Sequence, residues 1–217
     1  MTADDTTDRT DGPDGPDSSE SDRDPPAWEM LDSRVAYECE GFEVHNESVR
    51  LPDGTETEFD YLSEPPSVVV LAFVDDPADP AAPEDRTVVT IEEWRHAVGR
   101  VNYGLPAGGV EPGDDDLRAA AHRELAEETG YAADRVEPLV SFEPTNGLAD
   151  SRFHYALAYS CTPDADQQLD HDETIRVHTT TLGELRRKIT TGEIRDGRTA
   201  MGVLFHQVHG SRGPGWD

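Results

Sequence analysis

Three glutamates carry the strongest chemical signal in this sequence. At roughly 100° per residue on a helix, Glu127 lies about 60° to one side of Glu124 and Glu128 about 40° to the other, so the three share one face within two turns. Leu117, Ala120 and Ala121 occupy the same stripe one and two turns earlier, so the glutamates continue an apolar stripe and point inward. Carboxylates gathered in that way repel one another unless a cation sits between them. Hard oxygen donors at this density suit Mg²⁺ or Mn²⁺, and Mg²⁺ binds through a few carboxylates together with substrate phosphates. Phosphate chemistry is therefore the expectation. A merely solvated charge run would stand opposite the apolar stripe.

The residues around the glutamates fall in one register with a known pattern. Gly109, Asp115, Arg123, Glu124, Leu125, Glu127, Glu128, Gly130 and Tyr131, within GGVEPGDDDLRAAAHRELAEETGY, resemble the Nudix box, G-x(5)-E-x(7)-R-E-U-x-E-E-x-G-U. Asp115 stands where the pattern has Glu, which keeps the charge, and Tyr131 replaces the last aliphatic residue, which keeps the bulk. The resemblance implies a metal-dependent hydrolase of a diphosphate linked to another group, built as an α/β/α sandwich with a mixed sheet. It implies Glu124 and Glu128 as metal ligands, Glu127 as a bridging ligand or holder of a metal water, and the Ala107 carbonyl as a further ligand. Arg123 would orient a glutamate by ion pairing. Gly108 and Gly109 would let the backbone approach metal and phosphate, where a plain tight turn is the alternative.

Outside the box the resemblance is to the ADP-ribose pyrophosphatase branch, over most of residues 28–209. Residues 49–54 (VRLPDG), 93–100 (EWRHAVGR), 105–108 (LPAG) and 142–147 (FEPTNG) carry it. It implies hydrolysis of ADP-ribose to AMP and ribose 5-phosphate, and it raises the homodimer of that branch as a question left open. Arg95 is a candidate for phosphate or base contact, the alternative being a surface arginine beside a buried Trp94. A general base is expected from the acidic loop 169–177, with Glu173 the first choice and Asp170 and Asp172 the alternatives. Two other readings stay open: a Nudix hydrolase for a nucleotide sugar or dinucleoside polyphosphate, and a non-catalytic module that senses ADP-ribose. The intact Arg123-Glu124 and Glu127-Glu128 pairs argue against the second.

These groups must be positioned by a framework that the periodicity outlines. Residues 34–38, 42–51 and 55–61 read as antiparallel strands, the last two joined at the turn signal Pro52-Asp53-Gly54. Residues 67–74 form a continuous Val-rich run suited to a central strand, and 87–91 resume the pattern. A helix is expected over 114–129, stopped by Gly130. Strands follow at 136–142, 153–159 and 174–180, and helices at 182–190 and 198–209. Strands outnumber helices without regular alternation, which favours an α+β or α/β/α domain over a doubly wound parallel sheet. The division expected is an acidic disordered tail (1–26), N-terminal antiparallel strands (27–66), the hydrolase domain (67–210) and a flexible C-terminus (211–217).

Composition narrows the classes further. Of 217 residues, 47 are acidic and 18 basic, for a net charge of −29, and Lys188 is the sole lysine. Residues 1–26 hold nine acidic and two basic side chains and almost nothing apolar, so they cannot offset the entropy of ordering. About −22 remains on the other 191 residues. Such a surface excludes general nucleic-acid binding, which depends on Lys and Arg. At the ~3 Å Debye length of molar salt this self-repulsion is relieved, so the chain reads as one from a salt-adapted, halophilic cell; an acidic mesophilic protein is the alternative. Cys39 and Cys161 show neither disulfide nor metal spacing. The longest apolar run, 68–74, is far short of a membrane span, and the acidic start is unlike a signal peptide, so a cytoplasmic protein with a small-molecule nucleotide substrate is expected.

Overall fold

A computed structural model describes residues 26–76, 78, 82–171 and 173–216. The expected acidic tail lies, apart from Pro26, outside the described residues. In chain order the elements are β1 (Glu29–Glu38), β2 (Glu43–Arg50), β3 (Glu56–Ser63), β4 (Ser67–Phe73), β5 (Thr87–Arg95), β6 (Arg100–Gly104), β7 (Ala107–Gly109), α1 (Leu117–Thr129), β8 (Tyr131–Ala132), β9 (Arg135–Phe142), β10 (Phe153–Tyr159), β11 (Thr162–Pro163), β12 (Ile175–Thr181), α2 (Leu182–Thr190) and α3 (Gly197–His209).

The chain divides into two compact units. Among the described residues, 26–34 together with 46–59 make the first, and 35–45 with those from 60 to 216 make the second. The expected N-terminal antiparallel strands are present, in the order β1-β2-β3. Every residue of β1 is exposed, so the first unit is held by strand pairing and by surface contacts. Arg50 bonds Glu56 at 2.9 Å, and Trp28 meets Phe59 edge-on at 5.7 Å.

In the second unit a seven-stranded mixed sheet runs β12-β5-β4-β10-β9, with β6 also paired to β5 and β7 to β4. Only β4 and β10 are parallel; the other pairs are antiparallel. Alternation along β4 explains why its sequence is apolar throughout. Val68, Val70 and Ala72 pack with Ala120, Ala121 and Leu125 of α1, while Val69, Leu71 and Phe73 pack with Leu182, Leu185 and Val203 of α2 and α3. A central strand buried on both faces has no position for a polar side chain, and each Val or Leu in it contributes about 1.5–3 kcal/mol of burial. The result is the expected α/β/α arrangement.

Two parts of the chain depart from the sequence reading. The strand expected over 87–91 is longer: β5 continues to Arg95 and returns through a 3-10 turn as β6. The C-terminal residues, expected to be flexible, instead dock on the domain. Gly215 N donates to Leu139 O (3.2 Å), Trp216 Nε1 to Tyr155 O (2.9 Å), and the Trp216 ring lies under the Arg118 guanidinium. A single tryptophan supplies enough apolar surface to anchor a short terminal segment. Among the described residues, no helix is long and apolar enough to cross a membrane.

Candidate active site

Helix α1 carries the glutamates, and its ends are set by local chemistry. The helix starts at Leu117, later than the expected residue 114, because the Asp116 side chain accepts from Arg118 N (2.8 Å) and Ala119 N (2.9 Å) and so caps the first turn. It stops at Gly130, whose φ of 72° is the left-handed conformation that glycine adopts without strain. On the inward face Glu124 is 8% and Glu128 2% exposed, while the Glu127 side chain, expected to point inward as well, is 40% exposed.

Strand β7 lies directly against those carboxylates. Ala107 N donates to Glu128 Oε2 at 2.8 Å. A Cβ on Gly108 would come within 2.2 Å of Glu124 Oε2, so this position needs glycine for the carboxylate to reach the backbone. Gly109 is different: a Cβ there would meet nothing within 4 Å, and its carbonyl accepts from Arg123 Nη2 at 2.7 Å. Of the two, only Gly108 has a steric need for glycine.

Arg123 is the electrostatic centre of the site. Its guanidinium bonds Glu124 Oε1 (2.8 Å), Glu127 Oε2 (3.0 Å) and both carboxylate oxygens of Asp114 (3.1 and 2.9 Å). The hydrogen bonds it donates to Asp114, above all, hold its pKa above the ordinary arginine value. Asp114 is held below the usual carboxylate range by the same bonds. Asp115, which aligns with the box glutamate, is exposed, and its neighbour Asp114 makes the contact. Because the helix starts late, Asp114 remains in the preceding turn, where its carboxylate also accepts from Glu111 N. Burial pushes Glu124 up to about 7, against the opposing pull of Arg123, and pushes Glu128 up to about 8, against the bond from Ala107.

A cleft of about 520 Å³ gathers Gly108, Gly109, Arg123, Glu124, Glu127 and Glu128 with Asp170 and Glu173 from the acidic loop. That loop is pinned to the end of α1, since Gln167 Nε2 donates to Glu128 O (2.6 Å) and Gln168 N to Glu127 O (2.9 Å). Nothing in the sequence marks these two glutamines as anchors. Asp170 N donates to Glu173 Oε2, so the two form one turn; Asp172 lies outside the described residues. A second cavity, about 340 Å³ between Leu182, Val203 and His206, has Glu84 as its one carboxylate.

Arg95 does not line the cleft. It sits on β5 at 2.6 Å from Glu93, which is 8% exposed, whereas Trp94 on the other face is 49% exposed. The alternative of a surface arginine beside a buried tryptophan is therefore reversed. Burial raises Glu93, opposed by Arg95, and lowers Arg95, further lowered by the nearby Arg198; neither Glu93 nor Arg198 stood out in the sequence.

Among the described residues, no three His, Cys, Asp or Glu side chains stand as a ready metal cluster, and Arg123 bonds both Glu124 and Glu127. The donor set still fits a hard divalent ion: two buried carboxylates are raised by desolvation, and a glycine leaves room beside one of them.

Comparison with known proteins agrees with this geometry. Residues 55–200 match the NUDIX domain family. The chain is 28% identical over 167 residues to the ADP-ribose pyrophosphatase of Bacillus subtilis (strain 168), covering 76% of this chain and 85% of that protein. It is 30% identical over 163 residues to the methanol dehydrogenase activator of Bacillus methanolicus, covering 75% and 83%. A crystal structure of an ADP compounds hydrolase superposes with a TM-score of 0.72 at 17% identity, covering 86% of this chain and 95% of that one. With Gly109, Arg123, Glu124, Glu127 and Glu128 lining one cleft and the family match spanning two thirds of its length, the chain belongs to the NUDIX domain family.

Proposed function

We propose that this protein hydrolyses ADP-ribose to AMP and ribose 5-phosphate in a reaction that needs Mg²⁺ or Mn²⁺. The observation that carries the reading is the cleft in which buried Glu124 and Glu128, braced by Arg123 and β7, face Glu173. Likeness to an ADP-ribose pyrophosphatase supports the choice of substrate. Glu124, Glu127 and Glu128, with the Ala107 carbonyl, would hold the metal. When bound, such an ion neutralises charge on the diphosphate oxygens and lowers the pKa of a water molecule.

The protein's own residues do the rest. Glu173 accepts the proton as water attacks a phosphorus atom. The P–O bond of the diphosphate breaks, and both phosphates leave as monoesters. Arg123 orients Glu124 and Glu127, Gly108 and Gly109 give the diphosphate access to the backbone, and Arg95, which does not itself line the cleft, is assigned the part of the substrate anion that extends beyond it.

The surroundings follow from the surface. A net charge of −29 with one lysine supports a salt-rich cytoplasm as the working environment and argues against a nucleic-acid or membrane partner. Met30, Leu31, Val35 and Tyr37 of β1 are exposed, which supports a homodimer, to be checked by light scattering.

The test is product analysis with Mg²⁺ in molar KCl, together with the Glu173→Gln, Asp170→Asn and Asp172→Asn variants. ADP-ribose should give AMP and ribose 5-phosphate, and Glu173→Gln should lower kcat far more than it changes KM. An intact ADP-ribose beside a cleaved nucleotide sugar or dinucleoside polyphosphate would overturn the substrate. A normal kcat in Glu173→Gln, with loss in either neighbour variant, would move the base within the loop.

A further inference from the structure

One cationic cluster stands out in a chain this acidic. Along β5 the side chains of Ile91, Glu93 and Arg95 share one face, and opposite them on β6 stand Gly104, Asn102 and Arg100. Gly104 identifies what that face meets. A Cβ there would come within 2.5 Å of Thr199 Oγ1 and 3.1 Å of Asp196 Oδ2, so the start of α3, with Arg198 between those two residues, lies against this side of the hairpin.

Arg95 and Arg100 form a direct cross-strand pair, and Arg198 lies close enough to Arg95 for its charge to lower the Arg95 pKa. Like charges directly opposite on a hairpin are unfavourable. Two carboxylates stand next to the cluster, and both are engaged. Glu93 lies 2.6 Å from Arg95. Asp196 accepts from Thr199 N (3.0 Å) and Thr199 Oγ1 (2.6 Å) and stands 3.6 Å from Arg198 Nε. Arg95 Nε and Arg100 Nε are buried with no hydrogen-bond partner among the described residues. Buried donors of that kind cost free energy unless an acceptor arrives.

The cluster is also tied to the carboxylate site. Thr199 Oγ1 accepts from Leu105 N at 3.0 Å, and two residues later Ala107 N donates to Glu128. Arg95 lies close enough to Glu128, and Glu93 to Glu173, to feel their charge.

We propose that Arg198 and Arg100 join Arg95 in a subsite that receives a phosphate group of the substrate beside the Glu124–Glu128 carboxylates. Guanidinium forks match phosphate oxygens in pairs, and an arriving phosphate supplies both the missing acceptors and the missing negative charge. The inference rests on the diphosphate-hydrolase reading above, to which it adds residues that grip the anion.

The test uses the full chain in molar KCl, with Arg198→Gln, Arg198→Lys, Arg100→Gln, and Arg212→Gln as a variant of equal charge change at an exposed position. Calorimetry of AMP and of inorganic phosphate is paired with ADP-ribose kinetics. Arg198→Gln and Arg100→Gln should weaken AMP and phosphate binding by roughly tenfold to a hundredfold, the size expected for one lost charged hydrogen bond. They should raise KM more than they lower kcat. Arg198→Lys should recover part of the loss, and Arg212→Gln should match the unaltered protein. Folded Arg198→Gln and Arg100→Gln variants that bind AMP as the unaltered protein does would overturn the subsite, and so would an equal loss in Arg212→Gln. Should ADP-ribose stay intact with the unaltered protein, the substrate reading fails alone, because phosphate binding still decides the role of the arginines.

Discussion

Gly108 and Glu124 approach so closely that a methyl group on the glycine would overlap the carboxylate, at 2.2 Å from Oε2 and 2.3 Å from Cδ. The obstacle is the far end of a flexible side chain, so Gly108→Ala should displace Glu124 and leave the backbone in place. Activity is expected to fall by roughly a hundredfold while the thermal midpoint moves by less than about 4 °C. Gly109→Ala, which meets nothing, should keep most activity. Equal losses in the two variants would show that the close approach is not what β7 contributes.

Burial disfavours the charged forms of Glu124 and Glu128, so replacing their carboxylates should separate stability from function. Glu124→Gln and Glu128→Gln are expected to lose at least about a hundredfold in kcat yet melt no lower than the unaltered protein in the absence of metal. Added Mg²⁺ should raise the melting temperature of the unaltered protein and have little effect on either variant. Near-normal turnover in saturating Mg²⁺ would remove these residues from the metal site.

Arg123 donates its principal bonds to Asp114, although Asp115 occupies the box position. Asp114→Ala should lower kcat by about tenfold or more, since the guanidinium that braces Glu124 and Glu127 loses its anchor, and Asp115→Ala should matter far less. A combined Asp114→Ala/Arg123→Ala variant should be less impaired than the sum of the two changes, as expected for groups acting through one contact. Activity that follows Asp115 instead would restore the alignment of the box.

His206 on α3 packs 5.4 Å from Phe73, and its Nδ1 is buried without a hydrogen-bond partner among the described residues. Burial, helped by the charge of Arg86, holds its pKa below the ordinary histidine value. The native state then stays neutral while the unfolded chain takes up a proton as pH falls through about 6.5. Stability from this group is full above that pH and is lost as pH drops toward the depressed native value. Between pH 7.5 and 5.5, His206→Phe should lose about 2–4 °C less in melting temperature than the unaltered protein. Parallel curves would show that His206 is not the source of the slope.

The body of the chain carries about −22 once residues 1–26 are set aside. Raising KCl from 0.1 to 2 M should increase the unfolding midpoint by more than about 10 °C, because screening shortens from about 10 Å to a few Å. Removal of residues 1–26 should leave that dependence in place. A midpoint that is flat or falls with salt would contradict the halophilic reading.

Much of the framework follows from local rules acting on the sequence. The period of α1, its stop at Gly130, the doubly buried run of β4 and the span of α2 are dictated by neighbours a few residues away, and the structure repeats them closely. The glutamates that continue an apolar stripe were legible for the same reason. What the sequence could not decide depends on contacts between distant residues. The register shift from Asp115 to Asp114 follows from where Asp116 caps α1 and from the reach of Arg123. The acidic loop faces the glutamates because two ordinary glutamines bond to the end of α1. The arginines meet because β5 turns back as β6 and Gly104 admits the start of α3, a packing of residues almost a hundred positions apart. Trp216 docks for the same kind of reason, through a carbonyl on β10 that only the folded sheet presents. Periodicity records which face of an element is buried; which buried faces meet is a property of the tertiary fold alone.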